Sequence, residues 1–395
     1  VPTVTSDDSG RPTKIEVKSG STSLSTISYD YADAGKDTDR VRKRTTDGAA
    51  TAYTYDSLRR LTKAVETKSG STTAGWSYCY DKAGNRIGRS TGTSLPSSCD
   101  DAQQKAVHNN AGELTSFDGN DAFTYDGAGN ETSAASPTGT RTAETWTPYA
   151  QLGAYTQSGT TIDQTYAGTD NTQRLEAGST TFTNAAVGIT GQSAAGTATG
   201  FVRGPSGTLV AMKSGGASRY YLTDAQNSVI GLVDPSGKRT ATYSYGPYGE
   251  QRGNTRANQP FRYTSTYLDQ SGVYKMGARY YDPDLGRFTQ PDPSGQEANP
   301  YLYAAEDPVN RTDPTGLFGF SGILDNGSDI FGVVSGCVAG IGAAAETGTI
   351  GYAAAAGGAV GAGVGSAVGA GAAVVGSCAL GGVAGYYGAD IITYG

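Results

Sequence analysis

Apolar and polar positions alternate along much of the chain, in short runs broken by turns that open on aspartate. Clear copies are TAYTYDSLRRLTKA (residues 51–64), YCYDKAGNRIGRS (78–90) and TYDGAGNETSA (124–134), after a shorter one at Tyr29-Asp30-Tyr31. Tyr53 and Tyr55 fall on one side of an extended chain and Ala52 and Thr54 on the other, the period of a half-buried strand. Gly84-Asn85 and Gly129-Asn130 tolerate the positive φ of a tight turn. From residue 27 to about 174 the sequence therefore predicts a β-hairpin of about 20 to 30 residues, repeated. One hairpin cannot bury its apolar face, so the repeats predict a long antiparallel sheet that curls as its twist accumulates. The tyrosines line that sheet and the aspartates bond turn backbone. In WTPYAQLGA (146–154), a damaged copy, Pro148 predicts an edge or a bulge.

Residues 155–218 are poorer in aromatics but still alternate, and predict short strands with long turns. The pattern sharpens in RYYLTDAQNSVIGLVDPSGKRTATYSYGPYGE (219–250), read as strands separated by turns at 224–227 and 234–237. Asp-Pro then recurs at Asp282, Asp292, Asp307 and Asp313 within RYYDPDLGRFTQPDPSGQEANPYLYAAEDPVNRTDPTGL (279–317). Proline fixes its own φ and pushes the residue before it towards extended conformations, so this block is turn-dense and non-helical. Tyr280, Tyr281, Leu285, Phe288, Tyr301, Leu302 and Tyr303 give it the apolar surface of a buried plug.

After Leu317 the texture changes. Residues 318–395 hold 22 of the 58 glycines and no Lys, Arg or His, and residues 347–389 carry no charge. Glycines at 332, 336 and 340, and at 357, 361, 365 and 369, would form a flat stripe on a helix, where two helices approach closely. An uncharged run of that length could cross a bilayer twice at about 20 residues a span. A membrane-active helical hairpin and an inert Gly/Ala-rich passenger are both compatible with it.

The 279–317 block resembles the core that closes Rhs-repeat (YD-repeat) proteins, and 219–250 resembles the YYxxDxxGS…GxxYxxYGE run that precedes it. Asn227 stands where that run has Gly, and Asn also tolerates the left-handed region. The resemblance is close over 220–317 and loose from 27. It implies an all-β fold: a tyrosine-rich β-shell over 1–251, a core plug over 252–317, and a Gly/Ala-rich tail over 318–395 carried as a passenger. It further implies that the shell encapsulates its own C-terminal segment and frees it by cutting between Leu317 and Phe318, as the C-terminal part of an Rhs-type toxin or wall-associated protein. Carried onto matching positions, the catalytic residues are Arg279, Asp292 and Asp313. Two carboxylates sharing a proton could act as base and acid, with the arginine steadying the oxyanion. Asp282 and Asp307 read as turns alone. Any enzymatic activity is then a single self-cleavage. The other reading is an extracellular adhesion or carbohydrate-binding module without proteolysis, its Tyr, Asp and Asn facing a glycan or another cell-surface ligand.

Composition narrows these options. The chain has 395 residues, 26 Tyr against 9 Phe, and a net charge of −7. Tyrosine in such excess suits strands with one half-wet face. The negative balance argues against nucleic acid, which needs a basic face. A lone histidine, His108, excludes two-histidine zinc sites and reads as a solvated strand or loop residue. Neither a cofactor nor a metal is expected. Cys79 with Cys99 and Cys337 with Cys378 lack CxxC spacing; they are disulfide candidates, with buried free thiols the alternative. The sequence opens at Val1 without a signal-like run, so a secreted or cell-surface location rests on the resemblance alone.

Overall fold

The computed structural model describes residues 2–253, 259–317 and 321–322. Cys337, Cys378, Phe318 and the predicted tail helices lie outside the described residues. Within them the fold is all-β, with three short 3-10 turns. The strands form a meander in which nearly every strand pairs antiparallel with its neighbours in sequence; the exception is Thr22–Asp30, which pairs with Lys43–Thr46 across the small separate hairpin of Ala32–Asp33 and Lys36–Asp37. Instead of one long sheet the repeats form two, of ten and thirteen strands, neither closed on itself, and the described residues add a four-stranded sheet and two two-stranded ones. The break falls between the strands Leu114–Phe117 and Thr124–Tyr125, where Phe117 turns back to bridge Asn120.

One turn recurs at the aspartates. At Asp7, Asp56, Asp81, Asp126, Asp224 and Asp234, Oδ1 accepts the backbone N–H groups two and four residues on. In four copies Oδ2 also holds the side chain four residues on: Arg11, Arg60, Asn85 or Asn130. Three residues after the Asp the backbone turns left-handed; Asn227 does so in glycine's place, at φ 61°. The strands between turns bury alternate residues, as in Thr22–Asp30, where Ser25, Ile27 and Tyr29 point inward.

Three local expectations change. Between residues 152 and 217 five turns are tight, with only Ser158-Gly159, Gly178-Ser179, Ala186-Val187, Ala195-Gly196 and Gly215-Gly216 separating their strands, while residues 167–173 and 204–208 make the longer connections expected. Pro148 sits in the turn between Gly139–Trp146 and Leu152–Gln157, not on an edge; the bulge of that hairpin lies earlier, between Thr142 and Thr145. His108 ends the strand Gln104–His108 half-buried, with Nδ1 unpartnered, and burial pulls its pKa down to about 3.

The Asp-Pro block docks against both sheets. Tyr281, Phe288 and Tyr303 from the block, with Tyr274 from the strand just before it, share one apolar cluster with Ile15, Ile27 and Trp76 of the first sheet and Leu222 and Ile230 of the second. Beside it lies a cavity of about 480 Å³, lined by Tyr29, Tyr53, Trp76, Tyr243 and Tyr263 among others. Cys79, on the strand Ser71–Tyr80, is disulfide-bonded to Cys99. Cys99 begins a 3-10 turn rather than sitting on a returning strand.

Candidate active site

The strand Arg279–Asp282 pairs with Tyr274–Met276 on one side and Arg287–Phe288 on the other. Its first residue, Arg279, is wholly buried, its guanidinium 3.5 Å from the centroid of the Phe288 ring. All three nitrogens are engaged. Nε donates to the Gly316 carbonyl at 2.6 Å, one terminal nitrogen to the Pro300 carbonyl at 3.0 Å, and the other to Asp313 Oδ2 at 2.9 Å. Burial draws this guanidinium below its usual pKa, while Asp313, Asp292 and Glu297 pull the other way.

Two glycines allow this approach. The tight turn Met276–Arg279 lies against Thr315 and Gly316, with the Ala278 N–H donating to the Thr315 carbonyl at 2.8 Å. A Cβ at Gly277 would overlap the Thr315 backbone, and one at Gly316 would meet the Met276 carbonyl. Gly316 has φ +63°, the sharp bend expected beside the predicted cut. Beyond it Leu317 is 39% exposed. The strand Arg311–Thr312 pairs with Ser321–Gly322, so backbone on both sides of the predicted cut is joined by one short ladder.

The carboxylates differ in their partners. Asp313 is buried; besides Arg279 it takes Thr315 Oγ1 at 3.0 Å, and that hydroxyl is also 3.1 Å from the Leu317 carbonyl oxygen. Asp292 is buried too, and accepts the Ser294 N–H at 2.8 Å and the Ser294 hydroxyl at 2.7 Å. Its own N–H donates to the Pro300 carbonyl, which also receives Arg279. The structure thus gathers Arg279 and Asp313 in direct contact and ties Asp292 to them through Pro300.

Sequence reasoning misses two residues here. Thr315 reads as a filler between Pro and Gly. Glu297 reads as a loop residue, yet its Oε2 is buried without a partner. Burial pushes its pKa up to about 7; Arg279 opposes that shift while Asp292 and Asp313 add to it. Among the described residues no group of three or more His, Cys, Asp or Glu is arranged to hold a metal ion.

Asp282 and Asp307 do more than make turns. Asp282 Oδ1 accepts the N–H groups of Asp284 and Leu285, and Oδ2 is 3.2 Å from Arg141. Asp307 bonds Asn310 and is paired with Arg40, in the connection leading to the strand Lys43–Thr46 of the first sheet. Both are ion-pair anchors between the block and the repeats, a long-range role that an Asp-Pro dipeptide does not announce.

Comparison with known proteins agrees with this architecture. Residues 192–309 match the Teneurin YD-shell family. The chain is 40% identical over 135 residues to salivary gland surface protein 1 of Aedes aegypti, covering 32% of this chain and 4% of that protein. It is 45% identical over 62 residues to toxin protein Tse5 of Pseudomonas aeruginosa, covering 15% and 5%. Among solved structures, the TcdB2-TccC3-Cdc42 complex superposes with a TM-score of 0.60 at 18% identity, over 80% of this chain and 18% of the other. That last likeness is one of fold, and the chain spans a small part of each protein it matches. With the tyrosine-lined hairpins, the Asp turns and the docked Asp-Pro block, these matches give residues 192–309 a Teneurin YD-shell and make the chain similar to YD-repeat proteins of the Rhs type.

Proposed function

We propose that this chain is the C-terminal part of a secreted or surface-associated Rhs-type toxin protein that cuts itself between Leu317 and Phe318, releasing residues 318–395. The observation that carries this reading is the grip of Arg279 on both Asp313 and the Gly316 carbonyl, one residue before the cut. Asp292, whose oxygens accept from Ser294 and not from the guanidinium, takes a proton from water. Asp313 aligns the guanidinium, which holds the substrate backbone in place. Such positioning is worth roughly several kcal/mol of barrier. The disulfide suits an oxidising compartment. The 480 Å³ cavity is the size of a small-molecule pocket and too small to hold 78 residues.

Intact mass after expression tests the cut. The wild-type chain should yield two fragments, whereas Asp313→Asn and Asp292→Asn should each leave a single 395-residue chain. Unchanged cleavage in both variants would rule the two aspartates out. The aromatic cavity favours one other reading, a carbohydrate-binding surface module; an uncut chain that binds glycan arrays would support it.

A further inference from the structure

We infer that Thr315 is a catalytic residue of the self-cleavage, its hydroxyl being the hydrogen-bond donor to the Leu317 carbonyl oxygen when water attacks. This role rests on the self-cleavage reading above and names a group in direct contact with the carbonyl to be cut.

When water adds to a peptide carbonyl, the carbonyl oxygen takes up negative charge, and a donor already in place there lowers the barrier. The guanidinium is not that donor, because its three nitrogens serve the Gly316 carbonyl, the Pro300 carbonyl and Asp313. Thr315 Oγ1 lies 3.1 Å from the Leu317 carbonyl oxygen. The same hydroxyl accepts the Leu317 N–H at 3.3 Å and stands 3.0 Å from Asp313 Oδ1. A hydroxyl has one proton to give, so Asp313 and the Leu317 carbonyl compete for it. As the carbonyl oxygen gains charge it becomes the stronger acceptor, and the bond to it tightens along the reaction. An interaction stronger in the transition state than in the resting chain speeds the chemical step.

The backbone sets this geometry without help from the hydroxyl. The Thr315 carbonyl accepts the Ala278 N–H at 2.8 Å, and the bend at Gly316, with φ +63°, brings Leu317 back to the Thr315 side chain.

Thr315 keeps its proton, so the balance is that of plain hydrolysis. A water oxygen bonds to the Leu317 carbonyl carbon, and the carbonyl electron pair moves onto the oxygen held by the hydroxyl. The pair returns and the carbon–nitrogen bond breaks. The proton lost by water, which the reading above gives to Asp292, ends on the departing nitrogen. One water is consumed, leaving a carboxyl group on Leu317 and a free amine.

The test uses the full chain, made by cell-free synthesis, with conversion to the 1–317 product timed on gels. Wild type is compared with Thr315→Ser, Thr315→Val, Asp313→Asn and a chain carrying O-methylthreonine in place of Thr315, and circular dichroism checks that each keeps its β spectrum. O-methylthreonine keeps the oxygen that accepts the Leu317 N–H but has no proton to donate, and Thr315 is exposed, which leaves room for the methyl group. Thr315→Ser should cut close to the wild-type rate. Thr315→Val and the O-methyl chain should both cut roughly 10- to 10²-fold more slowly, at or below the usual loss for one oxyanion donor because water can partly stand in at an exposed position. An O-methyl chain as fast as wild type overturns the assignment, since the oxygen would then serve only as a turn acceptor; so does Thr315→Val at the wild-type rate. If wild type cuts, Asp313→Asn does not, and Thr315→Val is indifferent, only the Thr315 role falls. A wild-type chain that never cuts, or an Asp313→Asn chain that still does, removes the self-cleavage reading and this role with it.

Discussion

Arg141 is wholly buried and faces three buried carboxylates: Glu131 at 2.6 Å, Glu144 at 3.0 Å and Asp282 at 3.2 Å. One cation cannot balance three anions out of water, so protons must make up the difference. Burial, and for Glu144 the neighbouring Glu131, raise the pKa of both glutamates. Burial likewise pushes Glu297 and Glu306 up to about 7 and Asp307 up to about 6. Each of these acids binds its proton more tightly folded than unfolded. The stability they contribute is therefore fully present below their unfolded values, near pH 4, and is lost as pH rises towards about 7, while carboxylates held below their usual range, such as Asp7, Asp126 and Glu66, act in the opposite sense at the acid end. His108, held down at about 3, works the other way over part of that range, and Lys275, drawn down to about 7, works the other way above it. Urea midpoints measured from about pH 4 to about pH 7 should decline, and Glu144→Gln should flatten the decline by up to one proton, or about 1.4 kcal/mol per pH unit. A midpoint that rises across that window would contradict this account. None of these clusters is visible in the sequence, because Glu131, Arg141 and Asp282 meet only once the core block docks on the second sheet. The pairing of Arg279 with Asp313 is foreshadowed only by family resemblance, and Glu297 is not foreshadowed at all, because its burial depends on the fold of the whole block.

At the scale of elements, the Asp turns are legible in the sequence because all their bonds lie within five residues. The connection from Tyr303 to Asp307 is not. Ala304, Ala305 and Glu306 have φ of 53°, 49° and 56°, a full left-handed turn built from residues with side chains. Each such residue costs about 1 to 2 kcal/mol, so packing must hold the turn in place. Tyr303 and Glu306 are buried within it and Asp307 is locked to Arg40. Ala305 is the least buried of the three left-handed residues. Ala305→Gly should gain about 0.5 kcal/mol in urea unfolding, the relief of strain outweighing glycine's entropy, while Ala305→Val should lose more than about 1 kcal/mol. Equal effects from both substitutions would mean that backbone conformation does not control this turn.

Over the whole molecule, the period-two pattern carries the strands and their order, but not the division into two sheets. That division depends on a local reversal at Phe117 and on which faces the Asp-Pro block covers. The Cys79–Cys99 bridge closes a loop of 20 residues within the first sheet. Reducing it should cost about 3 kcal/mol, read as a drop in the urea midpoint that Cys79→Ser with Cys99→Ser reproduces. Full thiol labelling of the non-reduced, denatured chain would contradict the bridge.

The near-sequential pairing of the strands, broken only by one inserted hairpin, also bears on how such a chain can change over generations. Since no strand threads between two that are distant in sequence, a whole hairpin can be gained or lost by duplication or deletion, and the flanking strands can still meet with their inward faces unchanged. A single strand cannot, because its loss reverses the direction of everything after it. Lineages should therefore differ in length by even numbers of strands, most freely where few side chains reach the core block. Arg141 and Arg174, paired to Asp282 and Asp269, hold their neighbourhoods fixed, as does the hairpin formed by Thr180–Ala185 and Gly188–Ala194, whose Phe182 and Gln192 both meet Tyr267.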